Sequence, residues 1–303
     1  MHFLTEKQRG IALILVLWIV ALLTVIAGNF VLAVRTDTVI AANQVSEARA
    51  QAYADAGIHR AMYELFKPTA DSTRWLANGA PHEWQFEDAK LKINLLDESG
   101  KIDLNTAAEP LLVGLLQSAG LDEESANKLL NAILDWRDND TLVRINGAEE
   151  AEYIAAGLKS LPTNEPFQTL EELQQVFGMT PAIYRAIVGT LTLYSRLPGI
   201  NSTIAPREVL LAVPKVTAEQ VDAYLLERQA ALAANQPAPP FPLAASFSAS
   251  DTGTVFSVRA EARMPDGSVF IREAVARLTR EPKRPIAILF WKEGEAVTKE
   301  KST

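Results

Sequence analysis

One acidic segment, residues 135–150 with the letters DWRDNDTLVRINGAEE, holds the densest group of side chains able to bind a metal ion. Asp138 and Asp140 are separated by one residue, so both can direct carboxylate oxygens towards one point. Glu149 follows a turn at Gly147 and can return to that point. The weaker candidates nearby are Asp135 and Glu150. This spacing makes a shared cation site one interpretation of the segment.

Hard oxygen donors in a flexible loop suit calcium, which takes six to eight oxygen ligands including backbone carbonyls. The spacing does not match the EF-hand loop, so the pattern alone does not establish a calcium site. The alternative is a solvated acidic loop that caps the preceding helix, with Arg137 or Arg144 as ion-pair partner. Both interpretations stay open at this point.

Enzymatic chemistry has little support in the sequence. The three histidines, His2, His59 and His82, have no candidate nucleophile near them in sequence, and the chain has no cysteine. No glycine-rich loop of the kind that cradles phosphate is present. Asp138 and Asp140 could act as an acid–base pair, but no substrate pocket follows from the sequence. We therefore predict a non-enzymatic protein, with no catalytic residues and no organic cofactor.

The elements that hold this loop begin with an apolar N-terminal segment. Residues 11–34 carry no charge and are long enough to span a bilayer as a helix. A secretory signal peptide has its cleavage site after the apolar stretch, whereas the small residue Gly10 lies before it. Cleavage after Gly10 would leave Ile11 as the first residue of a permanent anchor. An uncleaved single-pass anchor fits the same composition and stays open.

Charge predicts how the anchor is oriented. Lys7 and Arg9 precede the apolar segment and only Arg35 follows it closely, so the N-terminus should remain cytoplasmic. Residues 36–303 would then lie outside a bacterial inner membrane. The absence of cysteine means that this part uses no disulfide. The net charge of −8 disfavours general binding to nucleic acid or to anionic lipid.

The helical pattern continues beyond the anchor as far as Phe66, because the segment is rich in alanine and ends before Pro68. We predict one continuous rod from Ile11 to Phe66. Residues at three- and four-residue steps are expected to form the apolar stripe that packs on a globular head. These residues are Val45, Ala48, Ala52, Ala56, Ile58, Met62 and Phe66.

Strand patterns lie at both ends of the remaining chain. After a predicted loop at residues 78–81, residues 90–97 alternate apolar and polar side chains. Residues 255–263 and 269–278 alternate in the same way around the turn at 265–267, which predicts a hairpin. Residues 286–291 form a further predicted strand, placed at a sheet edge or paired from outside.

The middle of the chain, residues 101–233, is predicted to be helical and partly repetitive. Its units start near residues 105, 170 and 201, and each is typical of two short helices joined by a tight turn. The proline-rich segment 237–242 then forms a stiff exit. The predicted division is a leader 1–10, a membrane segment 11–34, a head 35–100 and 234–303, and an inserted all-α subdomain 101–233. The fold class is α+β.

Helical hairpins also occur in membrane-anchored DNA-binding and DNA-uptake proteins, which is the alternative function. Such modules offer turn amides and basic side chains to a phosphate. Here the first turn continues into Asp122, Glu123 and Glu124, which would repel a phosphate. The turn near Gly178 has no second glycine after it, and Pro214 is followed by a single lysine. These features favour a structural helical subdomain.

Four features of the chain together resemble minor pseudopilin K of type II secretion systems. They are Gly10 before IALILVLW, the long helix, the α/β head and the motif DWRDND…NGAE. The resemblance covers nearly the whole chain. It implies a pilin-like helix on a small antiparallel sheet with a large helical insertion. It also implies cleavage after Gly10 by the prepilin peptidase and N-methylation of Ile11.

The same resemblance implies a role and a set of partners. Members of this family cap the tip of a periplasmic pseudopilus together with minor pseudopilins I and J, and with H nearby. Exported proteins are possible contacts of such a tip. The family's insertion binds calcium, and the motif assigns Asp138, Asp140 and Glu149 as the best ligands, with Asp135 and Glu150 weaker. Asp135 is expected on the preceding helix.

One departure from the general pilin pattern supports a tip position. Most pilins and pseudopilins have glutamate at the fifth mature position, which here is Leu15. A carboxylate in a lipid-embedded helix is costly unless it is paired. In a fibre that glutamate is thought to pair with the terminal amine of the neighbouring subunit. A subunit at the very tip has no such neighbour, and an insertion of this size also needs the free space found there.

Overall fold

A computed structural model describes residues 9–68, 71–234, 236–249 and 253–295. Helix α1 extends from Arg9 to Phe66, as the alanine-rich pattern predicted. Its first part is long and apolar enough to cross a membrane, and the window that meets this criterion is not buried in the protein. Residues 1–8, which make up most of the predicted leader, lie outside the described residues.

The head is a five-stranded antiparallel sheet covered by the second half of α1. The strands, in spatial order, are β1 (Asn78–Phe86), β2 (Ala89–Asp97), β5 (Val255–Arg263), β6 (Val269–Leu278) and β7 (Ile286–Glu293). The predicted hairpin is β5 and β6, and the predicted last strand is the edge strand β7. The fold class predicted from the sequence, α+β with a long helix on an antiparallel sheet, is confirmed.

The predicted loop at residues 78–81 is wrong, because these residues begin strand β1. A short turn at Glu87 and Asp88 returns β1 to β2, so that Phe86 pairs with Ala89. A register shift between Asn78 and Pro81 accommodates the proline. The glycine and proline that indicated a loop therefore lie at a strand end, where a bulge tolerates them.

The face of α1 that packs on the sheet differs from the predicted stripe. The buried apolar residues are Ala50, Ala54, Ile58, Ala61, Met62 and Leu65. Ile58 and Met62 belong to both sets, but Val45 and Phe66 are 60% and 51% exposed. The pattern was ambiguous because alanines surround the helix. α1 therefore has a second face, rich in small and apolar residues, that the head does not cover.

Between β2 and β5 the chain forms a helical subdomain with its own hydrophobic core. Its helices are α2 (Glu109–Ser118), α3 (Glu123–Arg137), α4 (Glu150–Ala155), α5 (Pro181–Ile187), α6 (Arg207–Leu210) and α7 (Ala218–Ala233). Two short parallel strands, β3 (Ile102–Asp103) and β4 (Leu191–Thr192), join distant parts of it. The first predicted hairpin corresponds to α2 and α3. The unit near residue 201 corresponds to the short α6 and to α7, which is longer than predicted, and the unit near residue 170 begins with a 3-10 helix at Leu170–Gln175.

Strand direction determines where the subdomain lies. Ser46 contacts Ser268 at the start of β6 (3.0 Å between hydroxyl oxygens), and Asp55 pairs with Arg272 (2.6 Å). Residues further along α1 thus match residues further along β6, so both run away from the membrane segment. Since Asp97 at the end of β2 pairs with Phe256 at the start of β5, the subdomain leaves and rejoins the head at its membrane-distal end.

Candidate metal site and assembly surfaces

The acidic loop begins in α3, whose last turn contains Asp135 as the sequence predicted. Asp135 is fully buried, and its Oδ2 accepts hydrogen bonds from the backbone amides of Arg144 and Ala148 (3.2 and 2.8 Å). A Cβ at Gly147 would lie 2.0 Å from this oxygen. Glycine is therefore required at 147 because the loop passes directly over the carboxylate. Burial raises the pKa of Asp135 despite both amides.

Asp138 follows as the C-terminal cap of α3, where the chain turns into the loop. Arg144 reaches back across the loop, with its Nε 3.5 Å from Asp135 Oδ1 and 3.7 Å from Asp138 Oδ2. The ion-pair interpretation therefore holds for Arg144. Arg137 instead donates to the backbone carbonyl of Leu104. The Nη1 of Arg144 also lies 3.8 Å from Glu109 Oε1, so one half-exposed guanidinium is shared among three carboxylates.

Glu149 closes the loop directly before α4 and is 7% exposed. Burial, followed by repulsion from Asp135, Asp138 and Asp140, raises its pKa to about 7. The charges of these three carboxylates therefore act on Glu149, while their role as a common set of ligands stays a prediction. A buried carboxylate among like charges is destabilising unless a proton or a cation compensates it. The loop thus provides an electrostatic environment that favours a bound cation.

Asp140 and Glu150 lie further out. Asp140 is exposed, and its Oδ1 accepts from the amide of Leu142 (2.8 Å). Glu150 is exposed in the first turn of α4, where a carboxylate favours the helix N-terminus. Asn164, which sequence reasoning missed, donates its side-chain amide to the carbonyl of Asp140 (2.8 Å). Asn164 was missed because it is separated in sequence from residues 138–149.

Four buried side-chain oxygens in this region have no hydrogen-bond partner among the described residues: Asp135 Oδ1, Asp138 Oδ1, Glu149 Oε1 and Asn164 Oδ1. Buried oxygens normally have a partner, so this concentration requires an explanation. Within the described ranges, however, no three Asp, Glu, His or Cys side chains form a group that would hold a metal ion as they stand. The donor chemistry fits calcium, while the ligand set from the sequence stays a prediction.

The predicted processing site lies at the first described residues. Gly10 and Ile11 belong to the first turn of α1. The fold places them at the end of the rod opposite the head, with the whole apolar segment between. Of the two described histidines, His59 lies beside Trp291 with ring centroids 6.1 Å apart, and His82 stacks on Trp75 with ring centroids 4.4 Å apart.

The chain combines a long N-terminal helix, apolar enough in its first part to cross a membrane, with a pilin-like antiparallel sheet and an inserted helical subdomain. The family model described as type II secretion system (T2SS), protein K matches residues 89–196. Type II secretion system protein K of Klebsiella pneumoniae is 29% identical over 203 residues, which is 61% of this chain and 62% of that protein. The Aeromonas hydrophila protein is 27% identical over 235 residues, 69% and 71% of the two chains.

The matched family model and these relatives all carry the description protein K of the type II secretion system, which agrees with the resemblance of the motifs. The first-named alignment spans less than two thirds of the Klebsiella protein's length. A solved structure, the GspK–GspI–GspJ complex of the enterotoxigenic Escherichia coli type 2 secretion system, contains a similar chain. The TM-score is 0.61 at 18% identity, covering 84% of this chain and 99% of that one. At this identity the likeness concerns the fold. The DNA-uptake alternative gains no support from these relatives.

Proposed function

We propose that this protein is a minor pseudopilin that caps the tip of the periplasmic pseudopilus of a type II secretion system. The observation that carries the proposal is the position of the helical subdomain at the membrane-distal end of the head. Subunits in a helical fibre have neighbours above them, and a helical subdomain of this size would collide with those neighbours. Only the terminal position leaves that end free.

The uncovered face of α1 provides the assembly surface. Between the membrane segment and the head, Val39, Ile40 and Val45 are 58%, 49% and 60% exposed. Ala41, Ala42, Ala48 and Ala52 are also exposed, and such small residues allow helices to approach closely. We propose that this face packs against the helices of minor pseudopilins I and J, with H following, and that this bundle initiates pseudopilus assembly.

Localisation and processing follow from the same proposal. The anchor lies in the bacterial inner membrane with its N-terminus cytoplasmic and the head periplasmic. Prepilin peptidase removes residues 1–10, and Ile11 becomes the methylated N-terminus. Leu15 in place of the usual glutamate fits a subunit that has no partner ahead of it. The role is structural rather than enzymatic, with exported proteins as possible contacts of the tip.

Cysteine crosslinking in membranes tests the assembly role, because the natural chain has no cysteine. The full chain carrying Ala52→Cys is produced with its pseudopilins I and J, and its thiol is labelled with maleimide–benzophenone, which on irradiation inserts into C–H bonds of any neighbouring chain. We expect adducts with these pseudopilins. The matched control is Gln117→Cys, on an exposed position of α2 in the helical subdomain, which should give none. Adducts from Gln117 but not from Ala52 would contradict the proposal.

We also propose that the acidic loop binds calcium through Asp138, Asp140 and Glu149, with Asp135 and Glu150 as lesser candidates. The four oxygens that lack a hydrogen-bond partner among the described residues support this proposal, and they add the amide oxygen of Asn164. A calcium ion would supply positive charge to the buried carboxylates and hold the loop against α3. What supports the proposal in this chain is that the amides of Arg144 and Ala148 donate to Asp135 and so hold the loop backbone against α3.

Chelation tests the calcium proposal. A ligand present at 100 times its Kd stabilises a folded protein by about 2.7 kcal/mol, so a chelator should lower the melting temperature of the wild-type chain. The double variant Asp140→Ala, Glu149→Ala should melt at the same temperature with and without chelator. Glu124→Ala, which alters an exposed carboxylate on the same helix as Asp135, is the control and should keep the shift. An unshifted wild type would refute the proposal.

A further inference from the structure

Strand β7 is an unusual sheet edge because its apolar side chains are exposed. Ile288, Leu289, Phe290 and Trp291 are between 37% and 46% exposed. On one side β7 pairs with β6, and on the other no described strand pairs with it. An exposed apolar edge offers main-chain groups to any extended segment, and proteins normally protect such edges.

The opposite edge, β1, has that protection. Pro81 lacks an amide proton for a further strand, and the outward positions include the exposed Glu83 and Gln85. Both edges have one register shift, so the bulge does not distinguish them. The difference lies in side-chain chemistry, because β7 presents four consecutive apolar residues where β1 presents proline and polar groups. Of the two edges, only β7 is suited to receive a strand.

A basic cluster marks one end of this edge. Arg277, Arg280, Lys283 and Arg284 lie at or beside the turn between β6 and β7, and none of them forms a salt bridge with a described carboxylate. Within the turn only Glu281 has the opposite charge. β6 runs away from the membrane segment, so this turn lies at the membrane-distal end of the head. The chain as a whole carries −8, which makes the basic cluster a local exception.

We propose that β7 receives an added strand from a neighbouring membrane-anchored subunit, and that carboxylates at the membrane-distal end of that strand pair with the basic cluster. This inference rests on the proposed function, which supplies anchored neighbours. The added strand gains main-chain hydrogen bonds along β7 and apolar contacts with its exposed side chains. The charge pairs then determine which neighbour is accepted and in which register.

A second copy of this chain is a poor occupant for geometric reasons. β7 runs from the basic turn back towards the membrane. Two copies anchored in one membrane stand the same way up, so their β7 strands would run in the same direction. Pairing them side by side would bring the two basic turns together, and like charges in direct opposition are destabilising. The geometry therefore favours a different subunit with an acidic distal end.

Photocrosslinking from single cysteines of the full chain, each labelled with maleimide–benzophenone, tests this proposal in membranes, with the pseudopilins I and J of its own system as probes. Ile288→Cys reports on β7, and Gln85→Cys on β1 is the matched control. We expect Ile288→Cys alone to crosslink to a residue in an extended segment of one of these pseudopilins. Adding Lys283→Glu and Arg284→Glu should reduce the yield roughly two- to tenfold, as expected for two exposed ion pairs.

The proposal would be overturned by equal adducts from both edges, by crosslinks between two copies of this chain, or by a yield that charge reversal leaves unchanged. An absence of Ile288 adducts would also overturn it. The Ala52→Cys crosslink separates this failure from failure of the proposed function. If Ala52 crosslinks to the pseudopilins while Ile288 does not, the assembly role stands and strand addition at β7 is wrong.

Discussion

The head and the helical subdomain are packed by different means. In the head, alanines on both α1 and the sheet bring the helix close to the strands, and the core is a regular layer between them. The subdomain instead packs short helices around large side chains such as Trp136 and Tyr153. Its loops are held by buried polar groups, including Asp103, which accepts from the amides of Asn105 and Arg196 (3.0 and 2.8 Å).

Regular apolar packing in the head and buried polar contacts in the subdomain are therefore two ways of holding secondary-structure elements in fixed positions. A long helix on a sheet buries apolar area along repeated positions and needs few special contacts. Short helices leave many backbone groups at their ends without partners, so buried carboxylates and amides must satisfy them. The stability of the subdomain therefore depends more on individual residues. In its acidic loop, four buried oxygens have no hydrogen-bond partner among the described residues. A cation there would complete the same tethering.

The largest expected effect comes from tight packing inside the subdomain. A Cβ at Gly114 in α2 would lie 2.0 Å from the backbone oxygen of Ala212. Gly114→Ala must push two backbone segments apart, so we expect a loss of about 3 kcal/mol or more in the free energy of unfolding. Gly189→Ala, with nothing within 4 Å of the new Cβ, is the control. Hydrogen exchange should accelerate in the subdomain and not in the head; acceleration in both would mean one shared core.

A smaller loss is expected from the equivalent change in the head. A Cβ at Gly57 in α1 would lie 2.9 Å from Ala260 Cβ and 3.0 Å from Leu91 Cδ2. Since both contacts are side-chain atoms, the helix can move slightly, and Gly57→Ala should cost about 1–3 kcal/mol. Faster exchange should be confined to α1 and the sheet. A loss larger than that of Gly114→Ala would reverse the comparison.

Removing one buried hydrogen bond of the subdomain should lower the free energy of unfolding by less than either glycine substitution. The hydroxyl of Tyr153 accepts a hydrogen bond from the amide of Phe177 (2.7 Å), and Tyr153 is fully buried. Tyr153→Phe keeps the ring but leaves that amide without its partner, which should cost about 1–2 kcal/mol in thermal melting. Tyr63→Phe, an exposed position on α1, should be neutral. Equal melting of the two variants would argue that the tether is dispensable.

The smallest expected effect on stability comes from Asp97, which lies where the head ends and the helical subdomain begins. Burial raises the pKa of Asp97, which accepts from the amides of Ser99 and Gly253 (2.9 and 3.1 Å). Because the folded pKa lies above the ordinary value, the stabilising contribution is full below that value and is lost as pH rises through the folded pKa. Asp97→Asn should remove this part of the slope of stability against pH in acid titrations. An unchanged slope would exclude Asp97 as its source.

The sequence predicted the helices and strands that follow from a regular spacing of apolar residues. It did not predict the contacts between residues that are distant in sequence. Strict alternation located β2, β5 and β6, and alanine content located α1. The same alanines concealed which face of α1 is buried, since the answer depends on the sheet opposite. Asn164 was missed because it joins the acidic loop through folding alone, and the β3–β4 pairing was missed because two residues carry no pattern.

The central claim is that α1 stays on the mature protein and carries the bulky head into an assembly. The most direct measurement is mass spectrometry of the native protein taken from bacterial membranes. We expect a membrane-bound chain that begins at Ile11, with one added methyl group, and a variant with Gly10→Phe that keeps its leader. A native chain that begins beyond residue 34 and is soluble in the periplasm would contradict the account.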